Sequence, residues 1–177
     1  MEILDIYDIN RNKTGKTIIR GMDIPNKAYR LVVHVCIFNS KNEMLIQKRQ
    51  PFKEKWPSKW DLTAGGSAVQ GETSQDAVER ELFEELGIRI NFKDIRPNMT
   101  INFENGFDDI YLIQRDIDIN SLKLQNEEVQ KVEWASKEKI FSLIKNEEFV
   151  PYHLSLIQLF FDTKNQYGCI MHKEKIQ

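Results

Sequence analysis

Apolar and polar positions along the chain change period several times, and each change marks an element. Residues 3–9 alternate weakly and lead into the turn signal Asn12-Lys13-Thr14-Gly15, then Thr17-Ile18-Ile19, which predicts an N-terminal hairpin over 3–19. Tyr29 to Phe38, YRLVVHVCIF, is almost continuously apolar and predicts a strand buried on both faces. Asn39 to Asn42 reads as a turn, and Glu43 to Arg49 as the next strand. Pro51 and Pro57 bracket a loop, and Trp60 to Thr63 reads as a short strand before a glycine loop, Gly65-Gly66. From Thr73 to Leu86 the period becomes helical. Ala77, Val78, Leu82 and Leu86 form the core-facing stripe, Thr73 and Asp76 form a capping box, and Gly87 sits where a left-handed cap ends the helix. Strand-like segments follow at Ile88–Phe92, Met99–Phe103, Asp109–Arg115 and Val132–Ala135. Ser136 caps a helix through Lys145, and a last helix runs from Pro151 to Asp162. Strands around an early helix, with two late helices, predict a layered α/β sandwich. One domain over residues 1–163 is expected, with a polar tail over 164–177.

Composition narrows the picture only slightly. The 177 residues are 41% hydrophobic and 29% charged, as in an ordinary soluble domain. A net charge of −2 gives no basic field for a nucleic-acid polymer. No apolar run approaches a membrane span, and the opening MEILDIYDIN is too acidic for a secretory leader. Cys36 lies in an apolar strand and Cys169 in the polar tail, without metal-ligand spacing or a disulfide framework, so a reducing cytosol is expected.

The acidic helix face carries the chemistry. Glu81, Glu84 and Glu85 are related by three and four residues and project from one side. Carboxylates so close repel one another and disfavour ionisation unless a cation lies between them. Oxygen donors of this kind suit a hard cation such as Mg2+ or Mn2+. The bland alternative is a solvated acidic helix followed by a turn.

The stretch Gly66 to Ile88, GSAVQGETSQDAVERELFEELGI, has the spacing G-x5-E-x7-R-E-L-x-E-E-x-G-I. Seven of these nine fixed residues alone match by chance on the order of once in 10^9 start positions. This segment resembles the Nudix box, and the chain is identified as a member of the Nudix superfamily. The resemblance implies a Nudix-type α/β/α sandwich with a mixed sheet and an N-terminal β-hairpin. It implies a hydrolase that cleaves a diphosphate linked to another group with Mg2+, or Mn2+ as substitute. Glu84 and Glu85 are then the principal metal ligands, with Glu81 and the carbonyl of Gly65 in the same set. Glu81 is the first candidate for the base or for orienting the attacking water, and Glu127 and Glu128 are downstream alternatives, which also read as an exposed loop. Arg80 is implied in the catalytic set, orienting a carboxylate through an ion pair with Glu72, and Glu72 is itself expected among the substrate-binding residues with Arg49 and Lys53. The expected partner is a small organic diphosphate such as a nucleotide, and family members often dimerise.

The flanks are similar to the branch related to isopentenyl diphosphate isomerase, over residues 3–145, through Q-x-R and K-x-x-W-P-x-x-W. In that branch cations at the positions of Arg49 and Lys53 hold the substrate diphosphate, whereas Lys48 faces the other way. The isomerase cysteine and the histidine beside it are replaced by Ala64 and Gly66, and a further metal histidine by Arg30. Alanine cannot transfer a proton, so a hydrolase is expected rather than an isomerase. A nucleotide-binding module without turnover is the remaining alternative. His34 reads as a hydrogen-bonded strand residue or a substrate contact. Trp56 and Trp60 read as core or loop anchors, with base stacking as the alternative, and Asp108 and Asp109 as turn residues after Asn105-Gly106, with an extension of the acidic site as theirs.

Overall fold

The computed structural model describes residues 2–168 and 170; Cys169 and most of the expected tail lie outside them. The predicted N-terminal hairpin forms: β1 (Ile3–Tyr7) pairs antiparallel with β2 (Lys13–Ile19) as a separate two-stranded sheet. An isolated bridge from Tyr7 to Tyr29 fastens it to the main sheet.

The main sheet is built around β3 (Arg30–Phe38) and β4 (Met44–Arg49), joined by the turn at Asn39 to Glu43. The short β5 (Trp60–Asp61) and β6 (Ala64–Ser67) follow, and β6 runs antiparallel to β3, with Val33 opposite Gly66 and His34 opposite Gly65. After helix α1 (Ser74–Leu86) come β7 (Met99–Phe103) and β8 (Gly106–Gln114). β8 lies parallel to β3 along its whole length, which makes the sheet mixed. β9 (Val129–Ala135) pairs with β4, and helices α2 (Lys137–Lys145) and α3 (Leu154–Thr163) end the chain.

Successive strand residues point to opposite faces, and the core divides accordingly. Leu31, Val33, Val35 and Ile37 meet Ala77, Val78, Leu82 and Leu86 of α1 on one face. Cys36, Phe38, Met44 and Ile46 meet Ile140 of α2 and Ile157, Phe160 and Phe161 of α3 on the other. The result is an α/β/α sandwich. α1 has the expected ends: Thr73 and Asp76 form a complete capping box, and Gly87 closes the helix at φ 70°.

Four expectations need correction. Ile88–Phe92 is not a strand; Ile88 and Phe92 plug the core, while the Phe92 N–H donates to Glu79 and the Phe92 carbonyl closes a turn with Ile95. Gly65-Gly66 is not a loop but the middle of β6. β8 starts at Gly106, three residues before the expected strand start at Asp109, so Asp108 belongs to a strand rather than a turn and Asp109 keeps its strand reading. β3 is buried on both faces only toward its C-terminal end, because α2 and α3 cover Cys36 and Phe38 but leave Arg30, Val32 and His34 half-buried.

Candidate active site

β6 and α1 make the centre of the site. Gly65 and Gly66 lie flat against β3 because nothing larger fits there. A Cβ on Gly66 would stand 2.1 Å from Glu81 Oε1, and one on Gly65 would stand 2.4 Å from the Cδ2 of His34. The missing side chains let the Glu81 carboxylate come down onto the strand from one face and the His34 ring from the other. One helical turn on, Glu85 reaches the same strand: its Oε2 accepts from Gly65 N at 3.4 Å and from Gln47 Nε2 at 2.8 Å.

Arg80 ties the acids together. Its Nε and one terminal nitrogen donate to the two Glu72 oxygens at 2.7 and 3.0 Å, a two-pronged contact that suits guanidinium. It also donates to Glu81 Oε1 at 2.9 Å, to Glu84 Oε2 at 3.1 Å and to the Ser67 carbonyl at 3.1 Å. Glu72 in turn accepts from the Val69 N–H at 2.9 Å, which fixes the loop before α1. The ion pair between Arg80 and Glu72 expected from the sequence is therefore present, and the surrounding carboxylates hold the Arg80 pKa above the usual guanidinium range.

Electrostatics single out two of the glutamates. Burial pushes the Glu85 carboxyl up to about 8, and the neighbouring Glu81 charge adds to this, against the pull of Gln47. Glu81 is also raised, chiefly by burial, with Arg80 pulling the other way. Glu84 differs: its side chain is 47% exposed and turned to Arg80. Among the described residues, no three His, Cys, Asp or Glu side chains converge on one point. The set still fits a hard divalent cation. Its donors are oxygens, and Mg2+ is commonly held by one or two carboxylates with water completing its shell. Two buried carboxylates, both raised by burial and with the Glu81 charge raising Glu85 further, mark the place where added positive charge is most favourable.

The basic residues expected at the diphosphate are engaged by acids. Arg49 donates to Asp61 Oδ2 at 3.3 Å and to the Lys55 carbonyl at 3.2 Å, and Lys53 pairs with Glu128 at 2.5 Å. Lys48 lies over Trp60, which is buried, whereas Trp56 stands in the exposed loop. Glu127 is exposed. The Gln125 N–H donates to the Glu85 carbonyl, which brings the loop of Glu127 and Glu128 against the end of α1.

Sequence reasoning missed a second polar group on the face opposite α1. His34 Nδ1 meets Asp108 Oδ1 at 2.8 Å, and the Tyr152 hydroxyl donates to Asp61 Oδ1 at 3.0 Å. Burial opposes the charged form of His34, but Asp108 outweighs it and raises the pKa to about 9. A buried Asp in strand β5 was the available signal, since such a group needs a partner. Asp109 is fully buried on the other face, bonded to Arg11 and to Thr100.

The family model described as the NUDIX domain matches residues 28–160. An uncharacterised Nudix hydrolase of Listeria monocytogenes is 49% identical over 165 residues, covering 93% of this chain and 96% of that protein. The isopentenyl-diphosphate Delta-isomerase of Corynebacterium glutamicum is 24% identical over 163 residues, 85% of each chain. Among solved structures, a Deinococcus radiodurans protein superposes with a TM-score of 0.72 at 25% identity, over 89% of this chain and 98% of that one.

Proposed function

The chain belongs to the Nudix family as a Nudix hydrolase, and we propose that it cleaves the diphosphate linkage of a nucleoside diphosphate derivative or another organic diphosphate, with Mg2+, or Mn2+ in its place, by attack of water at phosphorus. The observation that carries this reading is the pair of buried carboxylates, Glu81 and Glu85, brought onto the side-chain-free strand Gly65-Gly66. Glu84, Glu85, Glu81 and the Gly65 carbonyl are the oxygens that hold the cation. When bound, the cation supplies charge neutralisation of the diphosphate and a lower pKa for a coordinated water.

The remaining work falls to the chain. Glu81 accepts the proton of the attacking water or orients it, since its raised pKa brings it nearer the operating pH. Arg80 and Glu72 act by position. Arg80 holds Glu81 and Glu84 at fixed angles, and Glu72 anchors Arg80. Gln47 fixes the rotamer of Glu85. Arg49 and Lys53 are the candidate clamp on the substrate diphosphate, which exchanges with Asp61 and Glu128 as their partner. Ala64 stands where the related isomerase carries its cysteine, so the strand offers no thiol for carbon protonation.

We also take residues 1–163 as one domain, the cytosol as its compartment and a homodimer as an allowed assembly; no helix among the described residues is long and apolar enough to cross a membrane. The test is incubation of purified protein with nucleoside di- and triphosphates, nucleotide sugars, dinucleotides and prenyl diphosphates, with Mg2+ or with chelator, followed by separation of the products. Metal-dependent release of phosphate, diphosphate or a monophosphate from one class supports the reading. Saturable binding without turnover in any arm overturns it.

A further inference from the structure

The face of β3 opposite α1 divides into a covered and an open half. Arg30, Val32, His34, Cys36 and Phe38 share that face by strand alternation. Cys36 and Phe38 are fully buried in the cluster that includes α2 and α3, whereas Arg30, Val32 and His34 remain half-buried. The open row begins across strand β6 from Glu81, because the His34 ring lies against Gly65. It ends at Arg30, four residues and about 13 Å away along the strand.

Arg30 is unusual among the cations near the site. Its Nε is buried and has no hydrogen-bond partner among the described residues. Arg11, Arg20, Arg49 and Arg80 each hold a carboxylate, and Arg30 holds none among the described residues. Asp108, the carboxylate on this open face, is occupied by His34. The Arg30 guanidinium stands over the Phe103 ring, 5.7 Å from its centroid. Gly106, its neighbour on β8, makes room for this, since a Cβ there would meet the Phe103 ring at 2.5 Å. A ring under the guanidinium restricts its motion and leaves its N–H edge for a planar or tetrahedral oxyanion.

We propose that Arg30, held over Phe103 at the far end of this row, binds an anionic group of the substrate that lies about 10 to 13 Å from the diphosphate-cleaving centre. The inference rests on the hydrolase reading of that centre and narrows its substrate class. It favours organic diphosphates whose organic portion ends in a phosphate monoester or a carboxylate over those that end in neutral hydroxyls. Val32 lies between His34 and Arg30 with Asp108, held by His34, beside it in register on β8, and the Phe103 ring lies under the far anion site. Arg20 adds positive field beside Arg30: burial first, then the Arg20 charge, holds the Arg30 guanidinium below its usual range. An arriving anion relieves both penalties.

The experiment uses matched ligand pairs that differ only at the far end: UDP-glucuronate against UDP-glucose, and coenzyme A against dephospho-coenzyme A. Binding to the wild-type protein, Arg30→Gln and Arg30→Lys is measured by calorimetry with chelator present, and metal-dependent cleavage of the same compounds is measured separately. The wild type is expected to bind the ionised member of at least one pair about tenfold to a hundredfold more tightly, as a charge-assisted hydrogen bond implies. Arg30→Gln should bring that ratio to about one while leaving the neutral member within about twofold, and Arg30→Lys should fall between, since it keeps charge and loses the fork. Equal binding within both pairs, no binding of either ionised member, or a preference that survives Arg30→Gln overturns the assignment. Absence of cleavage with Mg2+ removes the hydrolase reading instead, and is read independently of the binding ratio.

Discussion

Gly66→Ala is the smallest perturbation that reaches the reacting centre. The residue lies in an extended strand without a positive φ, so alanine meets no backbone penalty. What it meets is Glu81: the new Cβ would stand 2.1 Å from Oε1, 2.4 Å from Cδ and 2.8 Å from Oε2. The carboxylate must retreat to an ordinary contact of 3.4 Å or more, a shift of about 1.3 Å. Glu81 has room to yield only by weakening its 2.9 Å bond to Arg80. Overpacking of this kind costs about 1 to 2 kcal/mol, or a few degrees of melting temperature in a chain of this length. Misplacing a catalytic group by about 1 Å costs about a hundredfold in rate. The assay is kcat for the preferred diphosphate beside a thermal melt. Gly71→Ala serves as control: φ is +90° and nothing lies within 4 Å of the new Cβ, so it strains the backbone without a new contact at the Glu81 carboxylate. The expected pattern is a loss of about a hundredfold for Gly66→Ala against less than about threefold for Gly71→Ala, at similar melting shifts. Wild-type kcat in Gly66→Ala would refute the placement of Glu81 at the reacting centre.

Other consequences can be measured as directly. Arg80→Ala strands Glu72, Glu81 and Glu84 without their common partner; it should lower stability by about 2 to 3 kcal/mol and turnover by at least about tenfold, read by denaturant titration and steady-state kinetics. A cation must displace the proton that Glu85 holds below about pH 8, so Mg2+ affinity should fall as pH drops from 8 to 6, with close to one proton released per metal at pH 7; calorimetry in buffers of different ionisation enthalpy measures it, and a pH-independent affinity would count against Glu85 as ligand. In the metal-free protein both raised groups act in the same direction. Glu85, at about 8 against 4.5, and His34, at about 9 against 6.5, each hold a proton in the folded state that the unfolded chain has lost, so stability should decline as pH rises from about 5 to 9. Asp108→Asn removes the His34 share, and melts between pH 6.5 and 9 should flatten accordingly; an unchanged slope sinks the assignment.

How much of this was readable in advance depended on how local each signal is. The α1 helix was legible because its cap, stripe and closing glycine are all set within one segment. The Arg80–Glu72 pair was implied by the family resemblance that the same segment carries. Ile88, Ile90 and Phe92 alternate like a strand, but a strand also needs a neighbour, and no nearby sequence says whether one is there. The glycines at 65 and 66 looked like a loop because sequence carries no trace of the Glu81 carboxylate and His34 ring that fill their side-chain space. The polar floor opposite α1 draws His34, Asp61 and Asp108 from three strands and Tyr152 from the segment before α3, so only the fold brings them together. The open half of β3 was hidden for a similar reason: its apolar run looks uniform until α2 and α3 cover one part and leave the other.

The central claim is that buried Glu85 holds the cation on which cleavage depends, and Glu85→Gln tests it most directly. Gln47 and Gly65 can still donate to the amide oxygen, and one buried acid is removed, so the fold and its melting temperature should be retained or rise slightly. Metal-dependent cleavage of the preferred diphosphate should fall by about a thousandfold or more, with metal affinity falling in parallel. A folded Glu85→Gln protein that still cleaves its substrate at the wild-type rate with Mg2+ would contradict the account at its base.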